Sequence, residues 1–200
     1  MNNLTTFILA SNNQGKYREF KAILEPFGFS LVPQAVAGIG FEVNETGDTF
    51  EENAFLKAST IAEYSGFPAV ADDSGLCVDA LDGAPGVHSA RFGEPGWTDE
   101  QKYRHLLALL ESAADRSARF VCCICLVTPD RRVIRARGEC PGRILSAPAG
   151  TAGFGYDPIF APEGYAESFA QLGEETKNTI SHRARALAAF REELERSGLC

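Results

Sequence analysis

Residues 69–92 read AVADDSGLCVDALDGAPGVHSARF, and this stretch decides how the rest of the chain is arranged. The apolar run FPAVA at 67–71 predicts a buried strand, and the Ser-Gly pair three residues later predicts a sharp turn. Asp72 and Asp73 therefore come at a strand end, where alternation should point their carboxylates in opposite directions. Two adjacent carboxylates call for a cation or a shared proton, unless they serve only hydrogen bonds within the turn.

Length and composition predict one domain over residues 1–200, with 44% hydrophobic and 23% charged residues. No segment approaches the roughly 18 uninterrupted apolar residues of a membrane span, so we expect no membrane association. The first 13 residues, MNNLTTFILASNN, lack the basic start of a signal peptide. We therefore expect a cytoplasmic protein.

The net charge is −8 and the isoelectric point is near 5.0. This balance argues against binding to a nucleic acid polymer, since affinity for its backbone comes from clustered Lys and Arg. Six cysteines are present, and three lie in RFVCCICLV at 119–127. Because Cys122 and Cys125 face opposite sides of that predicted strand, we expect buried free thiols, not a zinc or disulfide site.

The N-terminal segment reads as strand, polar loop and helix. TTFILA at 5–10 predicts the strand, and SNNQGK at 11–16 the loop. The helix is predicted from the spacing of Phe20, Ile23, Leu24 and Phe27, and Gly28 stops it. Such a junction directs backbone N–H groups at an anion, and Lys16 adds a positive charge that a bound polyanion would satisfy. An ordinary capping loop is the alternative.

After a short strand at 29–33, a second helix is predicted from about Asp48 to Tyr64. Its inward stripe contains Phe50, Ala54, Ile61 and Tyr64, and Asn53 and Lys57 fall on the same stripe. An inward lysine either extends along apolar surface or holds an anionic ligand. Glu45, upstream of the helix, either reaches the site of Asp73 or is a solvated loop acid.

The second half of the chain predicts more sheet and helix. TDEQKYRHLLALLESA begins a helix at Thr98 with Gln101 completing a capping box. RFVCCICLVTPDRRVIRARGECPGRIL at 119–145 predicts two long strands joined at Pro129-Asp130, the first of them central because it is apolar on both faces. A mixed β-sheet flanked by helices is the expected α/β architecture.

Two further segments carry candidate ligand-binding groups. GTAGFGYDPIF at 150–160 places glycines around aromatic rings, which suits a loop that approaches a planar ligand or, alternatively, a strand entry with core aromatics. EETKNTISHRARALAAFREELERSG at 174–198 predicts a terminal helix with an inward stripe of Leu187, Phe190 and Leu194. Arg183 lies on that stripe, and with Lys177 and His182 it forms a predicted cationic cluster.

Taken together, the segments resemble the inosine triphosphate pyrophosphatase family (dITP/XTP pyrophosphatases). SNNQGK, ETGDTFEENAFLKA, ADDSGLCVDALDGAPGVHSARF, GFGYDPIF and EETKNTISHRARAL occur in that order over nearly the whole chain. The resemblance implies an elongated, two-lobed α/β fold with a mixed sheet and a homodimer. It also implies Mg²⁺-dependent hydrolysis of ITP, dITP and XTP to the monophosphate and pyrophosphate, removing deaminated purines from the nucleotide pool.

By motif position the resemblance also implies roles for individual residues. Asp73 would be the proton acceptor, and Glu45 and Asp73 would hold the metal; Asn44 stands where many relatives have a second acid. The remaining implied substrate contacts are Ser11, Asn12, Asn13, Gln14, Gly15, Lys16 and Lys57 for the phosphates, Ser74, and Phe154, Gly155, Tyr156, Asp157, Lys177, His182 and Arg183 around the purine.

The implied chemistry agrees with the residue types. Charge that develops on the phosphate oxygens is stabilised by Mg²⁺, Lys16 and Lys57, while an ionised aspartate accepts the proton of the attacking water. Donors from His182 and Arg183 suit the 6-oxo group of hypoxanthine or xanthine, whereas adenine would leave them unpaired.

Two alternatives stay open: a pyrophosphatase for pyrimidine or modified nucleotides, and a non-catalytic nucleotide sensor. A haloacid-dehalogenase-type phosphatase is disfavoured because AVADDSG lacks the D-x-D motif.

Overall fold

The computed structural model of the protein describes residues 5–198, with side chains from Thr6 onward. Residues 1–4, which belong to the segment judged not to be a signal peptide, and Cys200 lie outside the described residues. Six strands form one sheet of order β2-β1-β3-β4-β5-β6. Strand β1 is parallel to β2 and β3, and β5 is antiparallel to β6, so the predicted mixed sheet is confirmed. The strands are β1 (Thr5–Leu9), β2 (Phe29–Pro33), β3 (Ala69–Val78), β4 (Ser117–Val127), β5 (Val133–Ile144) and β6 (Phe160–Pro162).

Five α-helices accompany the sheet within the described residues. They are α1 (Gln14–Leu24), α2 (Phe50–Ser65), α3 (Asp99–Leu109), α4 (Phe169–Ile180) and α5 (His182–Ser197). Short 3₁₀ turns cover Glu25–Phe27, Asp79–Leu81, Gly86–Arg91 and Asp157–Ile159. The predicted α/β class is confirmed.

The first helix ends earlier than its apolar spacing predicts. Phe20 and Leu24 are buried, but Phe27 is 52% exposed because Glu25–Phe27 is a 3₁₀ turn with Pro26 in its first positions. Proline has no N–H for an α-helical bond, so the α-helix stops before it. The inward position predicted for Phe27 is therefore wrong.

Helix α2 follows its prediction at both ends. Thr49 caps it, and Glu52 completes a capping box. Phe50, Ala54 and Ile61 are buried as predicted, whereas Tyr64 is 65% exposed, so its assignment to the inward stripe is wrong. The Tyr64 ring packs instead against Phe41, with ring centroids 5.1 Å apart. The capping box of α3, from Thr98 to Gln101, is also confirmed.

Strand β3 departs from the predicted strand and turn. It continues from Ala69 to Val78, so Asp72, Asp73 and Ser74 are strand residues and the predicted Ser-Gly turn is wrong. Within the described residues, strand β1 pairs with β3 only at Ala69 and Val70, so beyond them β4 is the neighbouring strand that holds the backbone extended where the local residue types favour a bend. The two carboxylates are thus buried within the sheet.

The cysteine-rich strand β4 is central and almost wholly buried, as predicted. The five described cysteines form no disulfide and are buried. Burial raises the pKa of the Cys125 thiol to about 11, so this thiol is protonated at neutral pH. Residues 5–198 contain no group of three or more His, Cys, Asp or Glu side chains suited to a metal ion.

The single terminal helix predicted over 174–198 is in fact two helices. Ser181 has φ −68° and ψ 161°, an extended conformation that separates α4 from α5. Gly173, with φ 78°, likewise interrupts α4 just before the predicted start at 174. Extended backbone is typical of the residue before a helix, and serine favours that position. Lys177 therefore belongs to α4, and Arg183 to the first turn of α5.

The described chain divides into two compact units, 5–73 with 122–138 and 183–198, and 74–121 with 139–182. The core of the first unit includes Phe7, Phe20, Ile124, Leu187 and Phe190. The core of the second unit includes Leu76, Leu106, Phe120, Phe160 and Phe169. Among residues 5–198, no helix is both long and apolar enough to cross a membrane.

Candidate active site

The buried carboxylate of Asp72 is held by two cations of the first unit. Lys16 Nζ lies 3.1 Å from Asp72 Oδ2, and Arg183 Nη2 lies 3.1 Å from the same oxygen. Lys16 is in the first turn of α1 and Arg183 in the first turn of α5, so two helix starts deliver these charges to β3. The unfavourable position of Lys16 at a helix start is compensated by this ion pair.

Arg183 is itself buried and bonds a second acid. Its Nη1 donates to Glu19 Oε2, while Nε and Nη2 donate to Asp72. Burial by itself would raise the pKa of Asp72, but the charges of Lys16 and Arg183 hold that pKa well below its usual range. Asp72 is therefore a permanently ionised partner, unsuited to exchanging a proton near neutral pH.

Asp73 has different partners from its neighbour, as strand alternation predicts. Asn53 Nδ2 donates to Asp73 Oδ2 at 3.2 Å, and Lys57 Nζ lies 3.4 Å from Asp73 Oδ1. Gly47 N in turn donates to Asn53 Oδ1 at 2.8 Å, which fixes the orientation of the amide. Burial raises the pKa of Asp73 despite the nearby lysines, so this carboxylate is the better proton acceptor of the pair.

Lys57 links Asp73 to the loop before α2. Its Nζ lies 2.5 Å from Glu45 Oε1, and the lysine is nearly buried. Burial would lower the pKa of Lys57, but the charges of Asp73, Asp72 and Glu45 raise it, so the lysine stays charged. The inward lysine predicted from the helix pattern is confirmed. We name Lys16, Glu19, Glu45, Asn53, Lys57, Asp72, Asp73 and Arg183 the carboxylate–cation cluster.

This cluster fits the Mg²⁺ that the family resemblance implies. Glu45 and Asp73 both reach a single cation, the Lys57 ammonium. Two carboxylates are few for a metal held by protein alone, but Mg²⁺ commonly takes one or two carboxylates and completes its shell with water and substrate phosphates. The donor set therefore suits a magnesium ion that binds together with a polyphosphate.

The loop predicted to hold phosphate is exposed or half-buried and leads into α1. Asn13 caps the helix, with its Oδ1 accepting from Lys16 N at 3.0 Å, and Ser11 Oγ accepts from Asn13 N at 3.2 Å. Capping thus uses one of the amides that the pattern offers to phosphate. Asn12, Gln14 and Gly15 lie in the same segment, whose surface position suits a ligand contact.

In the second unit, a buried ion pair organises the loop around Phe154. Lys177 Nζ lies 2.7 Å from Asp157 Oδ2, and that oxygen also accepts from Phe154 N at 2.9 Å. The Lys177 ammonium stands over the Phe154 ring, 4.5 Å from its centroid. Gly153 is required here, because its φ is +80° and a Cβ would fall 2.1 Å from Asp157 Oδ2.

Tyr156 and His182 are also fixed by contacts within this unit. Tyr156 is buried, and its hydroxyl donates to Ser89 O at 2.9 Å. The His182 imidazole stacks on Phe120, with ring centroids 4.7 Å apart and an interplanar angle of 12°. We name Phe154, Tyr156, Asp157, Lys177 and His182 the platform cluster, and Gly155 belongs to the same loop.

The predicted cationic cluster is divided between the two units. Lys177 and His182 belong to the platform cluster, whereas Arg183 bonds Asp72 and Glu19 in the carboxylate–cation cluster. Ser74, at the first position of the second unit, is half-buried within β3.

The sequence analysis assigned no role to Glu19 and did not predict the hydrogen bond from Asn53 to Asp73. Glu19 lies three residues after Lys16 on α1, which places both side chains on one face of the helix. This spacing was the signal in the sequence that could have assigned Glu19 to the site of Lys16.

Comparison with known proteins places the chain in a family. A model of the Ham1 family matches residues 7–193. The chain is 50% identical over 192 residues to a dITP/XTP pyrophosphatase of Symbiobacterium thermophilum, covering 94% of this chain and 93% of that protein. It is 47% identical over 194 residues to a dITP/XTP pyrophosphatase of Streptomyces coelicolor, covering 94% and 96%.

Solved structures agree. The Staphylococcus aureus Ham1 protein superposes with a TM-score of 0.87 at 40% identity, over 96% of this chain and all of that one. A nucleoside-triphosphatase or dITP/XTP pyrophosphatase of Mycobacterium abscessus gives a TM-score of 0.76 at 43% identity, over 92% and 98%. With sequence and fold in agreement over nearly the whole length, this chain belongs to the Ham1 family.

Proposed function

We propose that this protein hydrolyses the non-standard purine nucleoside triphosphates ITP, dITP and XTP to the monophosphate and pyrophosphate. Relatives that match it over nearly their whole length are named dITP/XTP pyrophosphatases. The observation that carries the proposal is the buried Asp73, paired with Lys57 and Asn53 beside the permanently ionised Asp72. This arrangement supplies a proton acceptor next to charges that suit a polyphosphate.

In this proposal Asp73 accepts the proton of the water that attacks the α-phosphorus. Without a bound metal, burial raises the pKa of this carboxylate, and Asn53 fixes its orientation towards a proton that it would accept. Lys57 and Lys16 place positive charge where the phosphate oxygens gain negative charge. Ser11, Asn12, Asn13, Gln14 and Gly15 would add donors to the phosphates, and Ser74 a substrate contact.

Mg²⁺ is the proposed cofactor, and Glu45 and Asp73 would hold it. When bound, it would withdraw charge from the phosphate oxygens and favour departure of pyrophosphate. Lys57, which bonds both carboxylates, would then remain close to the same phosphates as a second positive charge.

The purine would be held by the platform cluster. The face of Phe154 suits stacking, and Lys177 and His182 would supply donors to the base edge, with Gly155, Tyr156 and Asp157 shaping the loop. Arg183, which the sequence grouped with them, bonds Asp72 and Glu19 in the carboxylate–cation cluster. Donors directed at a 6-oxo group would favour hypoxanthine and xanthine over adenine, because the 6-amino group leaves them unpaired.

We further propose that residues 1–200 form one functional domain, that the protein acts on the cytoplasmic nucleotide pool, and that it forms a homodimer. Light scattering on the purified protein would give its mass in solution, and a mass of one chain would exclude the dimer.

The test is release of pyrophosphate and orthophosphate from ITP, XTP, GTP, ATP and dUTP, each with and without Mg²⁺. Pyrophosphate from ITP and XTP, only with the metal, is expected. Release of orthophosphate would contradict the proposed cleavage to monophosphate and pyrophosphate. A preference for dUTP would favour a pyrophosphatase for pyrimidine nucleotides. Binding of ITP without hydrolysis would favour the nucleotide sensor.

A further inference from the structure

The loop that carries the proposed purine platform has little structure of its own. Residues 151–156 form bends and turns, with neither helix nor strand, and Gly153 and Gly155 have φ values of +80° and +62°. Glycine-rich segments have many accessible backbone conformations, so their shape depends on external hydrogen bonds. The position of the Phe154 ring must therefore be set by the groups that hold this loop.

One such bond comes from a helix outside every motif used above. Gly155 N donates to Asp99 Oδ2 at 2.8 Å. Gly155 directly follows Phe154, and the amide of Phe154 is held by Asp157, so two successive amides are bound by two carboxylates. Carboxylate–amide hydrogen bonds are among the stronger ones, because the acceptor is charged.

The side chain of Asp99 is exposed, but its backbone has a fixed position. Asp99 is the first residue of α3, directly after the capping residue Thr98, and the same helix carries the fully buried Leu106. The preceding Trp97 packs against His105 of α3, with ring centroids 5.3 Å apart, which ties the approach to the helix. Helix α3 thus offers Asp99 as a stable anchor for a loop with little internal order.

We infer that Asp99 is a positioning residue for the purine platform: its carboxylate holds the Gly155 amide and thereby sets the Phe154 ring that would stack on the base. The inference rests on the proposed function for its ligand, but the anchoring itself can be measured without substrate. Asp99 touches neither the phosphates nor the reacting atoms in this scheme, so its loss should affect base binding and leave the chemical step intact.

The experiment compares Asp99→Ala with Asp99→Asn, which retains an oxygen able to accept from Gly155. Hydrogen–deuterium exchange of the peptide containing Gly155 should accelerate in Asp99→Ala and return towards wild type in Asp99→Asn. In steady-state assays with ITP, KM should rise roughly tenfold in Asp99→Ala with kcat nearly unchanged, and Asp99→Asn should recover most of the loss. Tripolyphosphate, which lacks a base, should inhibit all variants equally.

Two controls separate positioning from helix stability. Glu100→Ala changes the neighbouring acid, which pairs with Arg104 on the helix surface, and Lys102→Gln removes the ammonium group that pairs with Asp99 Oδ1. Neither should change exchange at Gly155 or KM. If the alanine variant folds poorly, Asp99→Ser, whose side chain is shorter than that of aspartate, takes its place and should show the same faster exchange at Gly155 and the same rise in KM.

The failure of each idea has its own signature. Absence of ITP hydrolysis by the wild-type protein would overturn the proposed function, while faster exchange in Asp99→Ala would still support the anchor. Unchanged exchange at Gly155, or equal losses in kcat and in inhibition by tripolyphosphate, would overturn the assignment of Asp99.

Discussion

The carboxylate–cation cluster and the platform cluster differ in the groups that surround their buried charges. The first unit buries an extended network in which Asp72, Lys16 and Arg183 neutralise one another, with Lys57 bridging Asp73 and Glu45. The second unit buries the ion pair of Lys177 with Asp157, framed by the rings of Phe154 and Phe169.

The difference indicates that one cluster suits recognition of a ligand by its charge and the other suits recognition by its shape. A network of fixed charges suits a ligand that is itself a polyanion, since it places cations and a base without reorganisation. Aromatic faces with one cation suit a flat, uncharged ring, because stacking depends on area and position more than on charge. The two clusters should therefore respond differently to mutation.

The largest expected effect is on turnover. Asp73→Asn removes the proposed base but keeps the size of the side chain, and kcat for ITP should fall about 10²- to 10⁴-fold with nucleotide affinity nearly retained. Pyrophosphate release and calorimetric binding of ITP measure the two quantities. The control is Asp79→Asn, because Asp79 is an exposed aspartate that pairs with Arg119. Near-normal turnover in Asp73→Asn would assign the base to another residue.

The next effect is on stability. Asp72→Asn leaves the buried guanidinium of Arg183 without one of its carboxylates, and removal of one partner from a buried pair costs about 3–5 kcal/mol of unfolding free energy. Urea unfolding would measure this loss, while Asp79→Asn should cost about 1 kcal/mol or less, as expected for an exposed pair. Equal losses of unfolding free energy in the two variants would show that the buried ion pairs of Asp72 stabilise the protein no more than an exposed ion pair does.

The smallest effect concerns the platform. Phe154→Leu keeps an apolar side chain but removes the flat face, and KM for ITP should rise about tenfold, within the range for loss of base–aromatic stacking. Inhibition by tripolyphosphate should not change, because that ligand lacks a base. Phe55→Leu, which alters a partly exposed ring of the first unit, serves as control. A parallel loss of tripolyphosphate affinity would contradict the separation of charge from shape.

Local sequence signals predicted the regular elements well, because periodicity, caps and breakers act over a few residues. Strand β2 was predicted at 29–33 and occurs there, helix α2 was predicted from about Asp48 and begins at Phe50, and Thr98 begins α3 where its capping box predicts. The inward Lys57 was also visible, since a lysine on an apolar stripe is unusual.

The errors arise where distant contacts override local preference. Asp72 and Asp73 remain in an extended strand because β3 is held in the sheet beside β4 and because cations neutralise the carboxylates. The bond between Glu19 and Arg183 spans 164 positions of sequence, a separation that no periodic pattern encodes. The anchoring of Gly155 by Asp99 is similarly remote and left no local signal.

The discontinuous make-up of the first unit has a consequence for folding. Its core joins Phe7 and Phe20 near one end of the chain with Leu187 and Phe190 near the other, and Asp72 is 111 positions away from Arg183. During synthesis, Asp72 therefore emerges long before its guanidinium partner exists. Contacts of such high sequence separation are costly in loop-closure entropy and slow to form. We expect completion of the first unit to await α5, so that during synthesis Asp72 can pair with Lys16 but not yet with Arg183.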